Sequence, residues 1–263
     1  MDWIQALILA IIEGITEFLP ISSTGHMIIA SSFMGIAKNP FVKTFTVAIQ
    51  FGAILSVLVL YYQKFLKSFN LYLKVGAAFI PSAIIGLVLN DWIDSLLGDV
   101  KVVAFALLFG GIILLYIDKF LQGNMDNELN ISYSSAVKIG LFQCISMIPG
   151  VSRSAATIIG GMSQNLTRKA AAEFSFFLAV PTMFGATVLK LKKAIENKVF
   201  VNDDLGILIF GNIVAFIVAY LAIKSFIRYV STHSFKIFGY YRILVGVIIL
   251  FLYYLGQIHE NTF

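Results

Sequence analysis

Two apolar segments of the chain carry ionisable and hydroxyl side chains that a lipid-facing helix should not contain. The residues concerned are Glu13, Glu17, Ser22, Ser23 and His26 in the first segment and Ser152, Arg153, Ser154 and Thr157 in the second. Ionisable groups inside an apolar stretch are costly to place in a bilayer, so they normally face a polar cavity and have a function there. We therefore expect the functional site at these two segments.

The two carboxylates of the first segment are spaced for one face of a helix. Glu13 and Glu17 are four residues apart, so a helix places them one above the other. Carboxylates this close repel each other unless a divalent cation binds both or one of them keeps its proton. The pair is therefore a candidate metal site; the alternative is that both carboxylates snorkel to the membrane surface.

A serine and a histidine lie a short distance further along the chain. His26 follows Ser23 by three residues, so both side chains can face the same cavity. A lone histidine is more often structural than functional. Beside a serine and two glutamates in an apolar segment, however, this histidine is a candidate for catalysis.

The second segment contains groups that bind phosphate. Arg153 is interpreted as the only arginine within the apolar regions, and its planar guanidinium suits bidentate phosphate recognition. The alternative is that Arg153 only neutralises Glu13 or Glu17. The hydroxyl groups predicted to donate to the same anion are those of Ser22, Ser152, Ser154 and Thr157. Any of these hydroxyls can instead bond to a backbone carbonyl one turn back.

A proline interrupts each segment. Pro20 is predicted to end the first helix, after which Ser22 or Ser23 caps a second one, and Ser152 caps its counterpart after Pro149. Each new helix N-terminus has free N–H groups and a partial positive charge, which suit an anion. Together with the Arg153 guanidinium, the two candidate metal-binding carboxylates and the Ser23/His26 couple, these N-termini predict phosphoryl transfer on a lipid phosphate or diphosphate.

The composition is that of a membrane protein. Hydrophobic residues make up 59% of the chain and charged residues only 13%. Charge-free runs at about 45–62, 75–90, 102–117, 174–189, 205–223 and 243–258 predict six spanning helices. The net charge of +5 is scattered through short loops, as in membrane proteins generally, so nucleic acid is not expected as a partner.

The chain contains a weak internal repeat. Pro20 aligns with Pro149 and Ser23 with Ser152, and Phe51-Gly-Ala aligns with Phe184-Gly-Ala further along. Each half, about 1–120 and 135–258, then has one broken segment and three spans. If each broken segment dips into the membrane and returns without crossing it, the odd number of spans places the start of the second half on the opposite side, so the second half is predicted to be inverted relative to the first. The predicted fold is an all-α integral membrane protein, one polytopic domain with six transmembrane helices and two re-entrant broken-helix hairpins.

At these residues the sequence resembles the bacterial undecaprenyl-diphosphate phosphatases, the bacitracin-resistance protein family. The family's first motif matches Glu13-Gly-Ile-Thr-Glu-Phe-Leu-Pro-Ile-Ser-Ser-Thr-Gly-His26, and its second matches Pro149-Gly-Val-Ser-Arg-Ser-Ala-Ala-Thr157. Length, span pattern and both motifs agree over essentially the whole chain. One departure is Ala155, where the family usually has Gly.

The resemblance implies hydrolysis of undecaprenyl diphosphate to the monophosphate and inorganic phosphate, which recycles the carrier lipid for peptidoglycan and related polymers. It implies a divalent cation, Mg²⁺ or Ca²⁺, bound by Glu13 and Glu17, with Glu17 as a candidate base. Ser152, Arg153 and Thr157 would hold phosphate oxygens. Ser23 with His26 would make the attack, either through a phosphoserine or by activating water, and both mechanisms fit the spacing.

Two other functions fit parts of the sequence. A type-2 phosphatidic acid phosphatase has a similar Ser-Gly-His element but needs a second histidine, and His233 and His259 lie outside both motifs. Metal-independent turnover would favour that enzyme. A transporter or lipid flippase is the other alternative, because inverted repeats with broken helices are a transporter architecture.

The distribution of basic residues predicts the orientation in the membrane. The larger set on one side, expected to be cytoplasmic, is Lys64, Lys67, Lys74, Lys119, Lys138, Arg168, Lys169, Lys224, Arg228 and Lys236. This assignment places both termini and the site on the outer side of a bacterial plasma membrane, although Lys190, Lys192 and Lys193 oppose it. The expected partners are the lipid substrate, membrane lipids and a second copy of the chain in a homodimer.

Overall fold

The computed structural model describes residues 1–89, 92–93, 96, 99–127, 130–200 and 204–258. Their helices are α1 Trp3–Thr16, α2 Ser23–Phe33, α3 Pro40–Ala48, α4 Gln50–Leu60, α5 Tyr62–Lys67, α6 Phe69–Val88, α7 Val100–Phe120, α8 Tyr133–Ile145, α9 Arg153–Ser163, α10 Arg168–Glu196, α11 Asp204–Val230 and α12 Lys236–Tyr254. Within these ranges the one β contact is an isolated bridge between Met125 and Leu166. The all-α prediction is confirmed.

Among the described residues, six helical stretches are long and apolar enough to cross a membrane, as the charge-free runs predicted. They are Pro40–Leu60, Phe69–Val88, Val100–Phe120, Arg168–Glu196, Asp204–Val230 and Lys236–Tyr254. The last stretch begins at Lys236 rather than near residue 243. The sequence interpretation started that run after Arg242, but this arginine lies inside the helix.

The outer helix faces carry large apolar side chains, as expected where lipid replaces water. On α11, Ile209, Ile213, Ile217 and Leu221 recur every four residues, and each is more than half exposed. Such a stripe on a soluble protein would be an unusually large apolar patch. Together with the six long apolar helices, it fits a multi-pass membrane protein.

The two broken segments end their first helices at the same distance before a proline. Helix α1 ends at Thr16, four residues before Pro20, and α8 ends at Ile145, four residues before Pro149. A proline cannot donate to the carbonyl four residues earlier, and its ring clashes with that carbonyl. The prediction that Pro20 ends the first helix therefore has the right cause, but the helix ends one turn sooner.

Each break continues through unusual backbone conformations. Ser22 and Ser152 have φ values of 68° and 72°, and Gly150 has a φ of 92°. A Cβ atom added to Gly150 would lie 2.5 Å from the carbonyl oxygen of Val103, so this position needs glycine for both its conformation and its close approach to α7. The positive φ of Ser22 and of Ser152 raises the conformational free energy of the backbone by about 1–3 kcal/mol each.

The first helix of each broken segment packs against a long helix from the other half of the chain. Helix α1 packs on α11, and α8 packs on α6. The half-helices α2 and α9 follow the breaks, and α9 packs on α10. The two breaks meet directly, since the Ser154 hydroxyl donates to the carbonyl oxygen of Phe18 at 2.7 Å.

Candidate active site at the two helix breaks

Glu17 is the meeting point of the two segments. The Ser23 hydroxyl donates to Glu17 Oε2 at 2.7 Å, and Arg153 Nη2 donates to Glu17 Oε1 at 3.2 Å. The Glu17 residue is 8% exposed and the Arg153 side chain 11% exposed, so the ion pair is largely shielded. The structure thus brings together Glu17, Ser23 and Arg153, three of the predicted catalytic residues.

These three side chains are positioned by helix ends. Glu17 is the residue immediately after α1, Ser23 is the first residue of α2 and Arg153 is the first residue of α9. Ser22 and Ser152 occupy equivalent positions before the half-helices, so the sequence alignment of Ser23 with Ser152 is wrong by one residue. Ser23 corresponds to Arg153, and both bind the same carboxylate.

The capping prediction is confirmed in one half only. The Ser152 side chain accepts a hydrogen bond from the Ala155 N–H at 3.2 Å and caps α9. Ser22 occupies the equivalent position before α2, but its side chain makes no capping bond, and the Ser23 hydroxyl is directed to Glu17 instead. The N-terminus of α2 therefore keeps free backbone donors next to the carboxylate.

Glu13 lies one turn below Glu17 and is 1% exposed. Its Oε1 atom has no hydrogen-bond partner among the described residues, and neither does Nε of Arg153. The site thus contains one buried acceptor and one buried donor without partners, a composition that suits a cation and an anion bound together.

No group of three or more His, Cys, Asp or Glu side chains within the described ranges could hold a metal. Two carboxylates alone still fit Mg²⁺, which commonly takes its other ligands from water and phosphate.

His26 does not pair with Ser23. Its Nδ1 lies 2.8 Å from the carbonyl oxygen of Ser22 and its Nε2 lies 2.7 Å from the hydroxyl of Tyr241, whose ring it stacks on. A carbonyl only accepts, so Nδ1 carries the proton and, in the neutral ring, Nε2 accepts from Tyr241. The predicted Ser/His couple is corrected: the acceptor for the Ser23 hydroxyl is Glu17.

Two predicted phosphate ligands face the protein interior. Ser154 and Thr157 are both 0% exposed. Ser154 donates to Phe18, while the Thr157 hydroxyl bonds to the Arg153 carbonyl at 2.8 Å and to the Ser175 hydroxyl at 2.6 Å. Both hydroxyls already have protein partners, so the geometry does not support their predicted contact with phosphate. Instead, the Ser154 hydroxyl connects α9 to the first break, and the Thr157 hydroxyl connects α9 to α10.

Comparison with known proteins identifies the family. The model for the bacitracin resistance protein BacA matches residues 6–248 of the chain. The chain belongs to this family. Among similar proteins, the undecaprenyl-diphosphatase of Flavobacterium psychrophilum is 58% identical over 263 residues, covering 100% of this chain and 99% of that protein. The undecaprenyl-diphosphatase of Flavobacterium johnsoniae is 56% identical over 100% of this chain and 99% of its own length. The one from Aquifex aeolicus is 46% identical over 94% and 96% of the two chains, respectively.

This BacA family member has a second buried arginine that the sequence interpretation missed. Arg242 on α12 is 0% exposed, so the statement that Arg153 is the only arginine in the apolar regions is wrong. It donates to backbone carbonyls of both breaks, including those of Pro20 and Gly150. The available signal was an arginine between Gly239 and Gly246 in an otherwise apolar helix. Tyr241, also missed, had no comparable signal.

Proposed function

We propose that this protein hydrolyses undecaprenyl diphosphate to undecaprenyl phosphate and inorganic phosphate. The reaction would recycle the lipid carrier for peptidoglycan and related polymers and confer resistance to bacitracin. The observation that carries the proposal is the shared carboxylate of Glu17, bound by a potential nucleophile, Ser23, and by a phosphate-binding cation, Arg153. The relatives named undecaprenyl-diphosphatase support the choice of substrate.

The geometry favours Glu17 as the base. A nucleophile and its base must be within hydrogen-bond reach, and Ser23 Oγ and Glu17 Oε2 are 2.7 Å apart. In the proposed reaction Ser23 Oγ attacks the terminal phosphorus while its proton moves to Glu17. The bond from that phosphorus to the bridging oxygen breaks, and undecaprenyl phosphate leaves. Water then hydrolyses the phosphoserine, releasing inorganic phosphate and restoring the serine hydroxyl.

The remaining polar groups would bind the substrate. Arg153 would turn part of its planar guanidinium from Glu17 to the phosphate oxygens, and its Nε–H has no acceptor in the part of the chain that the structure describes. The backbone N–H groups at the start of α2 would be further hydrogen-bond donors to the phosphate oxygens. His26, held by Ser22 and Tyr241, would supply a proton to the leaving oxygen or accept one from water.

We propose Glu13 and Glu17 as ligands of a divalent cation, Mg²⁺ or Ca²⁺. Two observations support this assignment: the two carboxylates are buried, and Oε1 of Glu13 has no hydrogen-bond partner within the described ranges. The cation would neutralise charge on the diphosphate when bound. The carboxylates themselves would hold it close to the position that Ser23 attacks.

We also propose that the two broken segments are re-entrant hairpins related by an inverted repeat. Helices α1 and α8 have 14 and 13 residues, about 21 and 20 Å at 1.5 Å per residue, and a bilayer core is about 30 Å thick. Helix α1 of the first half, about 1–120, packs on α11 of the second half, about 135–258. Helix α8 of the second half packs in the same way on α6 of the first, as expected if the two halves are equivalent. In membrane proteins with inverted repeats, broken helices at mid-membrane depth commonly form the substrate and ion sites.

The location proposed for the protein is the bacterial plasma membrane, with the site open to the outer side. The larger basic set on the opposite side supports this orientation by the positive-inside rule. A homodimer stays a prediction.

Phosphate release from undecaprenyl diphosphate by the purified protein in detergent tests the function. We expect release that requires Mg²⁺ or Ca²⁺ and is nearly abolished in Arg153→Ala. Arg228→Ala, the same substitution at an exposed position, is the matched control and should match the parent. Full release in EDTA would favour a type-2 phosphatidic acid phosphatase mechanism. No release, together with lipid translocation in vesicles, would favour a flippase.

A further inference from the structure

Arg242 is a fully buried charge in an apolar helix. It is 0% exposed, and among the described residues no carboxylate lies within ion-pair distance of it. Burying a guanidinium without an anion is costly unless its donors are satisfied by hydrogen bonds. The contacts of this side chain must therefore account for its presence.

All five guanidinium N–H donors of Arg242 bond to backbone carbonyl oxygens. The acceptors are those of Leu107 at 3.4 Å, Ala106 at 3.0 Å, Pro20 at 3.1 Å, Gly150 at 3.0 Å and Val151 at 2.9 Å. Two of these carbonyls belong to α7, one to the first break and two to the second. One planar group thus joins both breaks to a long membrane helix.

The breaks need such a donor because their carbonyls have no helical partner. An unsatisfied carbonyl is costly in a membrane, because water is not present in the hydrocarbon region to bind it. Pro20 lies three residues before Ser23, and Val151 lies two residues before Arg153. The Arg242 guanidinium therefore fixes the starting points of α2 and α9 relative to each other.

We infer that Arg242 is a positioning residue, which holds the two breaks so that Ser23 and Arg153 meet at Glu17. It makes no hydrogen bond to Glu17, Ser23 or His26, and its five hydrogen bonds all go to backbone carbonyl oxygens. The kinetic test of this inference rests on the proposed phosphatase activity. The effect of Arg242 on the two breaks can also be measured by hydrogen–deuterium exchange, which needs no enzymatic activity.

Gly110 offers a way to disturb Arg242 without altering it. A Cβ atom added to Gly110 on α7 would overlap Nη2 of Arg242, which two hydrogen bonds hold in place. Gly110→Ala should displace the guanidinium and leave every proposed catalytic side chain intact. The matched control is Gly76→Ala on α6, because a Cβ atom there meets nothing within 4 Å.

The experiment compares Arg242→Lys, Gly110→Ala and Gly76→Ala with the parent. The readouts are kcat and KM for phosphate release and hydrogen–deuterium exchange of peptides covering the two breaks. A misplacement of about 1 Å costs on the order of 10²-fold in rate. We expect the first two variants to lose about 10²-fold in kcat, with KM changed by less than about threefold. Exchange should rise in both breaks but not in α6.

Each outcome has a defined meaning. Gly110→Ala with the parental kcat, or with parental exchange in the breaks, overturns the inference. A rise in exchange over all helices overturns it too, because Arg242 would then stabilise the fold in general rather than position the site. If Arg242→Lys does not fold, Gly110→Ala carries the test. A parent that releases no phosphate contradicts the proposed function, while the exchange data still decide whether Arg242 holds the breaks.

Discussion

Ser23 and Arg153, the first residues of two half-helices that begin 130 positions apart in the chain, bind opposite oxygens of the Glu17 carboxylate. The carboxylate therefore has both of its oxygens engaged, one by a neutral hydroxyl and one by a cation. Any anion that takes Arg153 away from Glu17 frees a carboxylate oxygen next to the serine. In the proposed mechanism, substrate binding and activation of Ser23 would thus be coupled through the Glu17 side chain.

Glu17→Gln tests this coupling. The amide keeps the shape but cannot accept the serine proton, so we expect kcat for phosphate release to fall by about 10³-fold. The free energy of unfolding should fall by about 3 kcal/mol, because Arg153 is left buried without its anion. The double variant Glu17→Gln with Arg153→Met should recover stability without recovering activity. Parental turnover in the single variant would rule out Glu17 as the base.

Ser23→Ala separates the covalent mechanism from direct attack by water. If Ser23 is the nucleophile, a rapid acid quench of the parent traps labelled phosphate on this residue, and the variant shows neither adduct nor turnover. If water attacks, no adduct forms in the parent, and the variant keeps part of its rate. Ser231→Ala, which changes an exposed loop hydroxyl, is the control and should behave as the parent.

Tyr241→Phe tests the orientation of His26. The substitution removes only the hydroxyl that lies 2.7 Å from Nε2 of His26 and keeps the stacked ring. A lost hydrogen bond is worth about 1 kcal/mol, so we expect kcat to fall about 5- to 10-fold with KM nearly unchanged. Tyr240→Phe, at a neighbouring side chain that is 65% exposed, is the matched control. Equal kinetics in both variants would mean that Tyr241 has no positioning role.

The sequence predicted most of the fold because spanning helices are a property of composition. Charge-free runs identify six spans, and the two proline breaks are visible as local departures from them. It also predicted one site shared by the two broken segments, and there the structure pairs Arg153 directly with Glu17, the contact that the sequence analysis gave only as the alternative role of Arg153. The alignment of Ser23 with Ser152 failed because the two breaks differ by one residue between the proline and the helix start.

The contacts of the site were harder to predict, for a different physical reason in each case. Arg242 bonds only to backbone carbonyls, which every residue has, so no pair of side-chain types indicated its role. Tyr241 reaches His26 across 215 positions of the chain. Thr157 and Ser154 were assigned to phosphate from their spacing, but the rotation of α9 against α10 turns both hydroxyls inward.

Glu13→Gln tests the proposed metal site. Among the described residues, the buried Oε1 atom of Glu13 has no hydrogen-bond partner, as expected of an atom that a cation would bind. Removing this charge should raise the Mg²⁺ concentration needed for half-maximal phosphate release by about 10- to 100-fold. At saturating Mg²⁺ part of the rate should return, since Ser23, Glu17 and Arg153 are unchanged. Glu196→Gln, a carboxylate whose side chain is 60% exposed, should keep the parental Mg²⁺ dependence. An unchanged Mg²⁺ dependence in Glu13→Gln would remove this residue from the metal site, and full activity of the parent after chelation would remove the metal from the mechanism.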